Sequence, residues 1–184
     1  MLLVINGAPA VGKTTLAQRY AGDHPLALVI DVDLLRTQLG GWQERDESKA
    51  VARDLAVELA RAHLAAGYDV VVPQYVGRPE FLARLRALAD EAGTGFVEIV
   101  LTDDAHRIAE RFRARRTALV ADPAPHPEYD VDDASVEQVV AEANAALLRD
   151  AAARGAIIVD AAGGPEHAYE VCVAVTRRIR AEEV

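Results

Sequence analysis

Cysteine occurs once in the 184 residues, at Cys172. A lone thiol cannot build an intrachain disulfide framework, which fits a reducing compartment. Lysine is nearly as scarce, since Lys13 and Lys49 are the only two among 20 basic residues. No apolar run reaches the roughly 18–20 residues that a membrane span needs. The chain opens on an apolar stretch with no basic residues before it, and Asn6-Gly7 follows at once. That start reads as a strand and not as a signal peptide. These absences predict a cytoplasmic protein with no membrane partner. Positive charge is also in deficit, because the formal net charge is −9. A surface that wraps nucleic acid needs clustered cations to displace counterions from phosphate, so nucleic acid is not an expected partner. What is present is ordinary: 51% hydrophobic and 27% charged residues exclude a disordered chain. The length predicts a single domain over residues 1–184. Oligomeric state is not encoded in any visible pattern.

Apolar runs alternate with helical stretches. Residues 2–5, 26–31, 69–74, 96–101 and 156–160 read as strands. Residues 13–21, 34–39, 46–66, 79–92, 103–119 and 134–154 read as helices, as does the chain after 165. Five buried-type strands separated by helices predict an α/β fold, a parallel sheet with helices on both faces. The alternation breaks at residues 121–133, where three prolines and five acids in 13 residues exclude a regular element. This flap and the arginine-rich helix before it form a candidate lid over residues 107–133.

Gly7-Ala8-Pro9-Ala10-Val11-Gly12-Lys13-Thr14 matches G-x-x-x-x-G-K-[ST], with a strand before it and a helix after it. Backbone N–H groups of such a turn converge on an anion, with help from the helix N-terminus at Thr14 and Thr15. Glycine lets the backbone approach without a Cβ clash. Lys13 reaches the β and γ phosphates as a point charge, and the Thr14 hydroxyl suits Mg²⁺. The bland alternative is a glycine-rich turn with no ligand.

Two P-loop classes lose ground. Base reading by N-K-x-D is missing, since neither lysine sits in that motif. The strand that would end in Asp-Glu in a motor ATPase ends in Pro73-Gln74. A kinase needs a carboxylate for the acceptor hydroxyl and mobile cations for the transferring group. Asp31 and Asp33 close the second strand, at the end that borders the ligand crevice of a parallel sheet. One can hold Mg²⁺ while the other takes the proton. The bland alternatives are a helix cap and an Asp33–Arg36 ion pair. Arg107, Arg111 and Arg115 repeat at helical spacing, and guanidinium groups suit phosphate. The bland alternative pairs them with Glu110 or with the acidic flap.

Strand–GxxxxGKT–helix, D-x-D-x-x-R, R-x-x-x-R before a flap, and a last strand ending in Asp then Gly together resemble the small P-loop kinases. The nearest branch is that of chloramphenicol phosphotransferase and zeta-toxin-like kinases, close to shikimate and gluconate kinases. The resemblance implies a three-layer P-loop NTPase fold with a five-stranded parallel sheet in the order 2-3-1-4-5 and a helical lid. It implies ATP and Mg²⁺ as ligands. Asp33 resembles the catalytic base, and Asp31 the acid near Mg²⁺. Arg111 and Arg115 resemble lid arginines, and residues 160–165 the loop that borders adenine. The D-G-F-P-R segment of adenylate-type kinases and the glycine-rich acceptor motif of shikimate kinases are both absent. Pro73-Gln74-Tyr75-Val76-Gly77-Arg78 stands in their place. Gln74 and Tyr75 are candidate contacts to a hydroxylated substrate, with Arg78 as the candidate for an anionic group on it and Arg36 as a further candidate substrate contact.

The expected activity is transfer of phosphate from ATP to a hydroxyl of an antibiotic, sugar or other metabolite. The alternatives are a nucleotide-sensing switch and a polynucleotide 5′-hydroxyl kinase, the latter disfavoured by the net charge. Trp42 is a candidate stacking surface or a cover for the core edge. Cys172 reads as a core packer, and the five histidines show no ligand-like spacing.

Overall fold

Strand β1 (Leu2–Gly7) is buried at every position, and this follows from its sequence. An apolar run without alternation suits a strand covered on both faces. The computed structural model describes residues 1–77, 79–120 and 134–182. Around β1 lie β2 (Leu28–Val29), β3 (Val70–Pro73), β4 (Phe96–Thr102) and β5 (Ile157–Asp160). All neighbouring pairs are parallel, and the order is β2-β3-β1-β4-β5. The fold class and strand order expected from the resemblance are those observed.

Seven α-helices flank the sheet among the described residues: α1 (Lys13–Asp23), α2 (Val32–Thr37), α3 (Ser48–Ala65), α4 (Pro79–Glu91), α5 (Ala105–Val120), α6 (Val136–Ala151) and α7 (Gly164–Glu182). Successive β1 side chains point to opposite faces. Leu3 and Ile5 join a cluster with Leu16, Ala17 and Tyr20 of α1 and Ala168 and Cys172 of α7. Leu2 and Val4 join Ala56 and Ala60 of α3 and Leu82 and Leu85 of α4. Cys172 is fully buried, which pushes its thiol up to about 12.

One strand is shorter than its apolar run predicts. Residues 26–31 read as β, yet β2 spans only Leu28–Val29. Leu26 adopts φ 64 in the turn that follows α1. At the other end Asp31 already caps α2. The turn and the cap take the residues that the hydrophobic pattern assigns to a strand.

Asn6 ties the sheet to two loops. It is fully buried at the end of β1. Its Oδ1 accepts from Gly7 N and from Val76 N, each at 2.9 Å. Its Nδ2 donates to Glu98 Oε1 at 3.1 Å. Glu98 is itself buried, and Arg154 Nη2 donates to the same Oε1 at 3.1 Å. A buried carboxylate without such partners would be costly. Asn6→Ala strands these groups, and we expect a loss of about 2 kcal/mol. The melting temperature should fall by about 6 °C in calorimetry. An unchanged melt would remove Asn6 as the tie.

Candidate active site

The turn between β1 and α1 has a backbone that only particular residues tolerate. Gly7 sits at φ 152, where a Cβ would lie 2.7 Å from Val11 Cγ1 and 2.8 Å from Leu101 O. Gly12 precedes α1 at φ 113 and supplies no side-chain cap. A Cβ there would meet no protein atom within 4 Å. Ala10 takes a left-handed φ of 61, a strained choice for a residue with a Cβ. The first N–H groups of α1 have no partners within the helix and carry the positive end of its dipole. Lys13 is 8% exposed, and its Nζ donates to Ala8 O at 2.8 Å.

A cleft of about 180 Å³ opens over this turn. Its walls bring together Lys13, Thr14, Thr15, Asp31, Asp33, Arg111 and Arg115, with Ala10, Gly12 and Pro73. Oxygen donors of Thr14, Asp31 and Asp33 meet there, which is the ligand type that Mg²⁺ requires. Open space over an uncapped helix start, a lysine and two arginines suits a polyphosphate. The residues present therefore fit the ATP–Mg²⁺ pair.

Two further spaces adjoin the cleft. One, of about 260 Å³, is lined by apolar Val11, Leu16, Leu101, Ala161, Pro165 and Ala168, and it shares Gly12, Thr15 and Arg111 with the cleft. The expected base-bordering loop at 160–165 thus contributes Ala161, Gly164 and Pro165. The other, of about 280 Å³, shares Asp33 with the cleft and is walled by Pro9, Arg36, Lys49, Arg53, Gln74 and Tyr75. Asp33 stands where the two meet. Pro9 borders this third space and not the phosphate cleft. Gly7 and Ala8 lie beneath the turn and shape it.

Several side chains do something other than expected. Asp31 Oδ1 accepts from Asp33 N and Leu34 N, both at 3.0 Å, and so caps α2. This is the bland use of Asp31, although the residue also lines the cleft. The Asp33–Arg36 ion pair is not formed. Asp33 Oδ2 instead accepts from Gln74 Nε2 at 3.2 Å. Arg36 Nε donates to Ser48 Oγ at 2.9 Å, and its guanidinium lies 4.7 Å from the Trp42 ring centroid. Trp42 therefore stacks on Arg36. Arg107 is not part of the cleft. Arg78 and the flap at 121–133 lie outside the described residues.

Sequence reasoning missed what holds Arg111. Asp103, at the end of β4, has a side chain only 1% exposed. Its Oδ2 accepts from Arg111 Nη2 at 2.6 Å, and its Oδ1 from Arg107 Nε at 2.8 Å. Burial by itself would raise the Asp103 pKa. Hydrogen bonds from Arg111, Arg107 and the Asp104 backbone outweigh it and hold the carboxyl below its ordinary value. The only signal in the sequence is an acid four and eight residues before two arginines. Asn6 and Glu98 were also missed, although a charged residue in the middle of an apolar strand asks for a buried partner.

Fold and site together define a P-loop nucleotide-binding protein built like the small kinases. The chain belongs to the family described as an AAA domain, which matches residues 2–134. Among solved structures it is similar to a gluconokinase from Sinorhizobium meliloti 1021, with 19% identity, TM-score 0.61, and 96% of this chain and 91% of that one covered. It is similar to the tunicamycin resistance protein of Deinococcus radiodurans, with 20% identity, TM-score 0.56, and coverage of 94% and 93%. A chain of the PezAT toxin–antitoxin system of Streptococcus pneumoniae matches at 14% identity and TM-score 0.64, over 87% of this chain and 68% of that one. At these identities the likeness establishes the fold.

Because the folded pKa of Asp103 is depressed, its stabilising effect is complete above the unfolded value and is lost as pH falls through the folded one. Asp103→Asn removes that effect. The stability gap between wild type and variant should be widest above about pH 5 and narrow on acidification. Urea unfolding across pH 2 to 7 measures it, and a pH-independent gap would refute the Asp103 pairing.

Proposed function

We propose that this protein is an ATP-dependent kinase that phosphorylates a hydroxyl of a small molecule. The observation that carries this reading is the position of Asp33 on the wall common to the phosphate cleft and the third pocket. A carboxylate at such a boundary is in reach of a hydroxyl on one side and a phosphoryl group on the other. Similar structures include a gluconokinase and an APS kinase of Mycobacterium tuberculosis in complex with AMPPNP and APS. They support phosphotransfer without naming the acceptor for this chain.

Thr14 and Asp31 would hold Mg²⁺, and Gly12, Lys13 and Thr15 the phosphates. Bound there, Mg-ATP supplies the phosphoryl group and offsets its charge. Asp33 accepts the proton of the acceptor hydroxyl. Gln74 Nε2 engages one of its oxygens, and a carboxylate has a second to receive that proton. Gln74 Oε1 is buried with no protein partner among the described residues. Its amide cannot turn over, because Oε1 would then face the Asp33 carboxylate. Lys13 exchanges the Ala8 carbonyl for phosphate, and Arg111 exchanges Asp103 for it. Arg115 completes the cationic wall. The apolar second pocket takes the base.

Asp33→Asn keeps the shape of the site and removes the proton acceptor. We expect unchanged Mg-ATP affinity by calorimetry and a loss of acceptor-dependent ADP formation of about 100-fold or more. Wild-type turnover in this variant would dismiss Asp33 as the base. Tight Mg-ATP binding with no acceptor-stimulated ADP in wild type would favour a nucleotide switch.

A further inference from the structure

The third pocket carries more positive charge than a neutral sugar or alcohol needs. Arg36, Lys49 and Arg53 line it against the single carboxylate of Asp33. This contrasts with a chain whose net charge is −9. Lys49 and Arg53 stand four apart on α3, on one face of the helix, and Ala52 between them forms part of the same wall.

Several arginines among the described residues are neutralised where they stand. Arg19 pairs with Glu166, Arg61 with Glu91, Arg84 with Asp54, and Arg154 with Glu98. The acids nearest to Lys49 and Arg53 in the chain are spent elsewhere: Glu47 pairs with Arg45, and Asp54 with Arg84. Among the described residues, neither the Lys49 nor the Arg53 side chain has a hydrogen-bond or ion-pair partner. Arg36 is different. Ser48 Oγ, 2.9 Å away, and the Trp42 ring fix its guanidinium at the pocket wall. One oriented cation and two uncommitted ones surround a space whose only acid is the proposed base.

These charges do not serve the nucleotide phosphates, which have Lys13, Arg111 and Arg115 in the neighbouring cleft. We infer that the acceptor is itself an anion, a small polyol that carries a carboxylate or a phosphate group, with Arg36, Lys49 and Arg53 gripping that group while its hydroxyl lies at Asp33 and Gln74. The inference rests on the kinase reading for the direction of the hydroxyl, but the anion site can be measured without turnover. A carboxylate or phosphate oxygen accepts charge-assisted hydrogen bonds from guanidinium and ammonium alike. An acceptor without the anion would leave the half-buried Arg36 and Arg53 unmatched, so the pocket discriminates against it.

Trp42 is the chain's only tryptophan and stacks on Arg36, so its fluorescence reports on this pocket. The test titrates the full chain with glucose, gluconate and glucose 6-phosphate, which share one skeleton and differ in the anion. Gluconate or glucose 6-phosphate should change the Trp42 signal saturably, and glucose should not. The stronger of the two responses tells whether carboxylate or phosphate is the preferred group. Lys49→Gln together with Arg53→Gln should raise the dissociation constant about tenfold or more. Lys49→Arg, which keeps the charge, should bind nearly as wild type does. Cooperative melting of each variant verifies its folding. An equal response to glucose, a response that survives the double substitution, or no response to either anionic sugar overturns the inference. Anion binding without acceptor-stimulated ADP release would instead overturn the kinase reading and leave the anion site standing.

Discussion

One buried amide sets the relative position of the two halves of the site. Asn6 accepts from Gly7, where the phosphate turn begins, and from Val76, which follows Gln74 and Tyr75. The phosphate turn and the wall of the third pocket are thereby pinned to the same strand end. The geometry needed at Asp33 follows from this. The proposed transfer would require a reacting oxygen and a phosphoryl group held within fractions of an ångström. The Glu98–Arg154 pair extends the tie to the far side of β4, so the tie does not depend on loop packing alone.

Charge is managed locally in this acidic chain. Asp103 holds Arg111 at the cleft before any phosphate competes for it. Lys13 waits on a backbone carbonyl and Arg36 on Ser48 and an indole ring. The carbonyl, hydroxyl and indole partners of Lys13 and Arg36 are weaker for a cation than a polyphosphate or a carboxylate would be. The site is thus ordered without ligand, yet its cations remain exchangeable. Preorganisation of this kind reduces the ordering cost at binding.

Much of the fold was legible from hydrophobic period alone. The runs that became β1, β3 and β4 are continuous and apolar because both of their faces are covered. The phosphate turn was legible because its spacing reflects backbone geometry, and Gly7 and Gly12 do occupy left-handed conformations. Asp31 and Asp33 were legible as neighbours at a strand end, and both line the cleft, but the cap and the hydrogen bond that engage them were not. Capping by Asp31 depends on where α2 begins, and Asp33 depends on Gln74, 41 residues away. β2 was overread because a positive φ at Leu26 and a cap at Asp31 are invisible to hydropathy. Asn6, Glu98, Asp103, Lys49 and Arg53 were not found. Their meaning comes from neighbours distant in sequence, and no local pattern records such contacts.

The single cysteine has a practical corollary. Cys172 sits in the core with its thiol pushed far above neutral, so it is protonated and shielded under ordinary conditions. Thiol-directed reagents need an accessible thiolate. A cysteine introduced on an exposed face of α5 would therefore be labelled alone, without first removing the native one. Paired with a second such position on α3, it would give a distance between two walls of the site that spectroscopy can follow.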